Sequence, residues 1–268
     1  MNYLDENLEN LDTCPVILRF QERTTKIIIT NLQTFSSKEH KLEIPEAMGI
    51  WSAMCLIPGN SHFCYGNYYN KACTGTAFII SENKKIRRIP SGFPCNGAGT
   101  IYFQGSVYSF GGYNMMPLRI VQIFSLAENR WRLAAPLPSP PESLACAVFR
   151  YVILLSGDNF STVYLYDPFI DCYSDLQLSL NSFVPKMVIA AGERAYVIDG
   201  KIYESEINNP YKWEEIGDIM LSWNSLLSYK VRWKNAVYFH HRYQLYEFDL
   251  TQKTLKRIKH DVRFREEV

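Results

Sequence analysis

The sequence predicts an all-β fold: a six-bladed β-propeller with four-stranded blades, the ring closed by the C-terminal strand. Three observations predict it. A strand–turn–strand unit recurs along the chain, with the residue after the turn at Leu42, Ile86, Trp131, Tyr173, Trp213 and Leu255, at intervals of 44, 45, 42, 40 and 42 residues. A period of this length, without helical periodicity, is the signature of a propeller. Seven positions before the marker stands an apolar or aromatic residue in five of the six units: Phe35, Ile79, Phe124, Tyr166 and Phe248. Aromatic residues make up 14% of the chain, mostly Tyr and Phe, which favour strands.

The units follow in order. The first offers three strands, "PVILRF", "KIIITNL" and "HKLEI", and is one strand short. The second (61–92) has Gly66, "TAFIIS", the turn "ENKK" and Ile86. The third (107–138) is the fullest: a strand ending in Gly111-Gly112, a loop, "RIVQIFSL", the turn "AENR", Trp131 and closing prolines. The fourth (151–176) has Gly157, "VYLYD", "PFID" and Tyr173, and the fifth (194–216) Gly200, Tyr203 and Trp213. The sixth (235–258) has Phe248, the turn "TQK" and Leu255; its basic stretch "KTLKRIKH" alternates lysines with Leu255 and Ile258, as an outer strand with a solvated face does. The blades run at about 16–45, 49–92, 96–138, 143–180, 184–220 and 224–258 of a single domain. Residues 260–268 are left over and are expected to supply the innermost strand of the first blade.

This unit resembles the kelch repeat, in which a Gly-Gly pair ends the second strand and a Tyr and then a Trp follow. Gly111, Gly112 and Trp131 match directly, with Phe124 in the Tyr place. Gly157, Tyr166 and Tyr173 match in part, as do Gly66 and Trp213; blades 1 and 6 match by pattern and period. The resemblance implies a six-bladed kelch-type propeller. A glycine pair lets the strand end in a conformation closed to residues with a Cβ, and the aromatic pair fills the wedge between blades.

Composition excludes several function classes. Net charge is +1, short of the basic face that a global nucleic-acid binder needs. Seven cysteines occur without a C-x-x-C, so neither a zinc site nor a disulfide framework is indicated, and a reducing, cytoplasmic setting is expected. The acidic start "MNYLDENLEN" lacks the apolar region of a signal peptide, and no apolar run approaches the roughly 18 residues of a membrane span. The Gly pair lacks phosphate-loop spacing, and "GAG" (97–99) lacks the third glycine of a dinucleotide fingerprint. His240 and His241 are adjacent: in a strand they would point to opposite faces, whereas in a loop one metal could take both. Metal sites normally need three or four convergent ligands, and no such set is evident, so no metal or other cofactor is expected.

A protein-interaction module is therefore the leading reading, and an enzyme is not expected. The resemblance implies peptide binding at the face made by the loops between strands two and three and by the links between blades. In this chain those loops are rich in residue types found at interface hot spots. The candidates are Tyr68, Tyr69, Tyr113, Met115, Met116, Arg119, Phe160, Trp223, His241, Arg242 and Tyr243. The plainer reading is that each packs against its own loop or a neighbouring blade. A scaffold or ubiquitin-ligase adaptor role would use a separate adaptor chain, since about fifteen residues precede the first strand. The alternative is a small-molecule or metal-dependent enzyme with the funnel as its pocket. Deleting 259–268 is expected to lower the melting temperature sharply; a truncated chain that melts like the full one would refute closure by the tail.

Overall fold

The computed structural model describes residues 15–21, 24–44, 48, 52–70, 72–141, 144–157, 160, 162–176, 187–198, 201–206, 212–218, 229–241 and 244–258. Among them there is no helix, and the strands form six antiparallel sheets. Blade 1 contains β1 (Val16–Phe20), β2 (Lys26–Asn31) and β3 (Ser37–Lys41). Blade 2 contains β4 (Ala53–Ile57), β5 (Ser61–Tyr69), β6 (Ala72–Ile80) and β7 (Ile86–Ile89). Blade 3 contains β8 (Gly99–Phe103), β9 (Ser106–Phe110), β10 (Val121–Ser125) and β11 (Arg130–Leu133). Blade 4 contains β12 (Leu144–Phe149), β13 (Val152–Gly157), β14 (Tyr164–Asp167) and β15 (Cys172–Asp175). Blade 5 contains β16 (Met187–Ala191), β17 (Arg194–Ile198), β18 (Lys201–Glu206) and β19 (Trp213–Asp218). Blade 6 contains β20 (Lys230–Trp233), β21 (Ala236–His241), β22 (Gln244–Asp249) and β23 (Thr254–Ile258). In every sheet the strands pair in chain order.

Burial follows strand position. Inner strands such as β4 (AMCLI) and β12 (LACAVF) are almost wholly buried. The outermost strands carry charge: Lys38, Glu39 and Lys41 on β3, Arg87 and Arg88 on β7, Glu214 and Glu215 on β19, Lys256 and Arg257 on β23. A charged outer edge is shielded from pairing with another chain. The basic stretch at 253–260 supplies β23, the outer strand of blade 6.

The apolar core is divided into six clusters, one at each blade–blade interface. Phe63 and Tyr65 of blade 2 meet Val107, Phe124 and Trp131 of blade 3. The ring is completed where Ile17, Leu32 and Phe35 of blade 1 pack against Val231, Tyr238 and Leu245 of blade 6. At that same joint the Leu18 N–H donates to the Tyr229 hydroxyl at 3.2 Å. The proposed closing strand, 260–268, lies outside the described residues.

The seven-residue spacing has a structural origin. Phe124 and Trp131, Tyr166 and Tyr173, and Phe248 and Leu255 are directly opposed partners across the outer hairpin of their blades. The second member reaches back to the preceding blade: Trp131 Nε1 donates to the Pro90 carbonyl at 2.7 Å, and the Tyr173 hydroxyl to the Ala135 carbonyl at 2.8 Å. In blade 1 the third strand differs from expectation, running over Ser37–Lys41 rather than "HKLEI". Ser37 pairs with Thr30, their hydroxyls 2.8 Å apart. Leu42 sends its N–H to the Thr25 carbonyl at 2.7 Å and lies just beyond the strand, its side chain buried.

His62 on β5 is fully buried with its ring edge against Tyr229, and its Nε2 has no hydrogen-bond partner among the described residues. Burial pushes its pKa down from 6.5 to about 4, against a smaller upward effect of a backbone hydrogen bond with Val16. The native state therefore resists a proton that the unfolded chain accepts. Stability is complete above about pH 6.5 and falls as the pH drops towards 4; over that window the loss reaches about 3 kcal/mol. In urea titrations between pH 7.5 and 4.5, H62F should lose less stability on acidification than the parent; parallel curves would exclude His62 as the source.

Candidate functional site: the rim of blades 2 and 3

Three segments form one rim. The first is the distal end of the β5–β6 hairpin. Beyond a bulge between Tyr65 and Asn67 the hairpin continues through the pairs Asn67–Thr74, Tyr68–Cys73 and Tyr69–Ala72. Asn67 is buried, and its Oδ1 accepts the Tyr68 N–H at 2.8 Å. The second is the loop between β9 and β10. Gly111 N–H donates to the Ile120 carbonyl and Leu118 N–H to the Gly112 carbonyl, both at 2.8 Å, so the loop folds back on itself with Met115 and Met116 at its tip. The third is the link between blades 2 and 3. Asn96 and Tyr113 exchange two backbone hydrogen bonds, at 3.0 and 2.8 Å, and Gly92 N–H donates to the Gly75 carbonyl at 2.9 Å. The Cys73 thiol reaches the Tyr113 carbonyl at 3.2 Å, tying the hairpin to the loop.

Buried polar groups hold this frame from below. Gln122 Nε2 donates to the Tyr65 hydroxyl at 2.6 Å, and Gln122 Oε1 accepts the Phe93 N–H at 2.7 Å. The Tyr65 hydroxyl in turn donates to the Phe93 carbonyl. Burial raises the Tyr65 pKa well above its usual value, so the hydroxyl keeps its proton and remains a donor. The glycine pair makes the close approach possible. Gly111 and Gly112 have φ of 63° and 99°, and a Cβ on Gly112 would stand 2.7 Å from the Asn96 carbonyl oxygen. They are backbone hinges.

Above the frame, apolar side chains face solvent: Tyr68 (54% exposed), Phe93 (43%), Tyr113 (37%), Met115 (90%) and Met116 (63%). The Tyr113 hydroxyl donates to the Met115 carbonyl at 3.1 Å, fixing the ring. Arg119 stands on the same loop, exposed, with Nε donating to the Leu137 carbonyl at 2.5 Å. Of the sequence candidates, Tyr68, Tyr113, Met115 and Met116 are thus brought together, the Tyr69 backbone ends β5 beside them, and Arg119, on the same loop, is turned instead to Leu137 on the side of blade 4. Phe160 is placed differently. Its N–H returns to the Gly157 carbonyl at 3.0 Å, and its ring is buried, edge-on to Tyr164. His241 ends β21. Trp223, Arg242 and Tyr243 lie outside the described residues. Phe93 is not among the sequence candidates, although it stands in the glycine- and proline-flanked link "GFPCN" that marks this rim.

A second exposed apolar group lies at the opposite end of blade 4. Tyr151 occupies the β12–β13 turn, and Phe169 and Ile170 the β14–β15 turn. These turns fall at the other end of the sheet from the β13–β14 connection, because the strands alternate in direction. Among the described residues no three His, Cys, Asp or Glu side chains are grouped so as to hold a metal ion. Among the same residues no helix is long and apolar enough to cross a membrane.

The model of the Kelch motif matches residues 94–138, which include the link into blade 3 and all four of its strands. No curated protein matches the chain. The matched motif and the six-bladed ring fit a kelch-repeat propeller family.

G105A tests backbone conformation alone, since Gly105 has φ of 79° and an added methyl would meet no atom within 4 Å; it should cost about 1 kcal/mol. G112A combines a left-handed φ with the collision on Asn96 and should cost at least about 2–3 kcal/mol. Chemical denaturation of both variants checks this, and equal losses would show that the rim does not depend on the close approach.

Proposed function

We propose that this kelch-type propeller is a protein-interaction module that holds a partner peptide or protein on the rim of blades 2 and 3. Kelch propellers are generally non-enzymatic interaction modules. The observation that carries the reading is the run of exposed Tyr68, Phe93, Tyr113, Met115 and Met116 on a backbone frame fixed by buried hydrogen bonds. Exposed aromatic and Met side chains on a rigid support lose little freedom on binding, so their burial is retained as affinity. Arg119, exposed on the same loop, offers a guanidinium on the side of the rim that faces blade 4.

On this reading the protein serves as a scaffold or adaptor. A ubiquitin-ligase substrate-recognition role would proceed through a separate adaptor chain. The cytoplasm is the setting this reading takes: the six described cysteines are free thiols, as a reducing compartment would leave them.

Affinity purification with quantitative mass spectrometry tests the face. The double variants Y113A/R119A and M115A/M116A should each reduce recovery of a specific partner at least about tenfold, in line with the loss of one or two hot-spot residues. The variant F169A/I170A on the opposite end should leave recovery unchanged. Full recovery by both rim variants would remove this rim as the binding surface.

A further inference from the structure

The inner strands of five blades surround a cavity of about 110 Å³ on the ring axis, with lining residues from β4, β8, β12, β16 and β20. That is room for several water molecules or one small anion. Most of the wall is apolar, from residues such as Met54, Val148 and Ile189. Two cations interrupt it. Lys230 and Arg232 stand two residues apart on β20, so the alternation of a strand turns both towards the same side, and both line the cavity. No Asp or Glu is found among the described lining residues. Lys230 Nζ donates to the Cys146 carbonyl on β12 at 2.6 Å, a neutral acceptor two blades away.

A buried ammonium is normally offset by an anion. Here the acceptor found is a carbonyl, and burial accordingly lowers the Lys230 pKa from its ordinary value. Thr100, a further lining residue, carries a buried hydroxyl. An ammonium and a guanidinium both donate hydrogen bonds, and a guanidinium suits the two oxygens of a carboxylate or phosphate.

We propose that the axial cavity binds a small oxyanion, a carboxylate or phosphate group, between Lys230 and Arg232. This site is separate from the rim of blades 2 and 3, and neither depends on the other. The anion neutralises the buried charge of Lys230 and ties blade 6 to the inner strands across the ring.

Calorimetric titration of the full chain with inorganic phosphate and with malonate, at fixed pH and constant ionic strength set with sodium chloride, tests it. One of the two should bind saturably at one site per chain and raise the melting temperature with its concentration. K230M should weaken that binding at least tenfold, and R232Q should weaken it in the same direction, while Y113A/R119A should bind as the parent does. Should K230M fail to fold, the parent alone decides. The bound anion should then slow reductive methylation of Lys230 severalfold, read by peptide mass spectrometry, relative to methylation of exposed Lys234. Absence of saturable binding by either anion would overturn the proposal, and so would parental affinity in folded K230M or Lys230 methylation indifferent to the anion.

Discussion

Each blade of this propeller depends on its neighbours. A four-stranded sheet that is apolar on both faces cannot hide them alone, and the chain answers with six wedges, each filled from two blades. The wedge dictates the rest. It requires bulky, flat side chains at its outer end, which is where Phe124, Trp131, Tyr166 and Tyr173 sit. It also requires backbones to approach without side chains between them, as at Gly112 against Asn96. Blade 1 is joined to blade 6 by the same kind of contact, so the described residues alone complete the ring of interfaces.

The sequence made this architecture legible because the wedge residues recur at a spacing set by the outer hairpin. Where the hairpin joins its strands through a four-residue turn, as between Ser125 and Arg130, the seven-residue interval identifies true cross-strand partners. It slips where the connection changes length. In blade 2 Ile80 faces Ile86, and in blade 5 Ser205 faces Trp213. Strand ends were less readable, because polar strands such as Ser37–Lys41 are fixed by pairing with β2 rather than by an apolar pattern of their own.

The rim was legible in part, and the division has a physical basis. Tyr113, Met115 and Met116 follow the glycine hinge directly, so their place in a projecting loop could be inferred from chain order. Phe160 occupies the corresponding loop of blade 4, yet a single backbone turn onto Gly157 directs it inward, and composition cannot distinguish the two cases. The frame beneath the rim was out of reach altogether: Tyr65 and Gln122 are 57 residues apart and meet only once two blades are docked. Lys230 was hidden for a different reason. "KVRW" alternates charge in the manner of an outer strand, and only the sheet order makes it an inner one.

The charged perimeter bears on how such a ring can be approached. With Arg87, Arg88, Glu214, Glu215, Lys256 and Arg257 along the outer strands, a visiting chain that tried to extend a blade sideways would have to strip water from ionic groups along its whole length. Lateral stacking of rings into ribbons is disfavoured by the same desolvation. What remains accessible is the pair of end surfaces, where loops replace edges. The exposed Tyr68, Tyr113, Met115 and Met116 lie at one such end, and Tyr151, Phe169 and Ile170 in turns at the other.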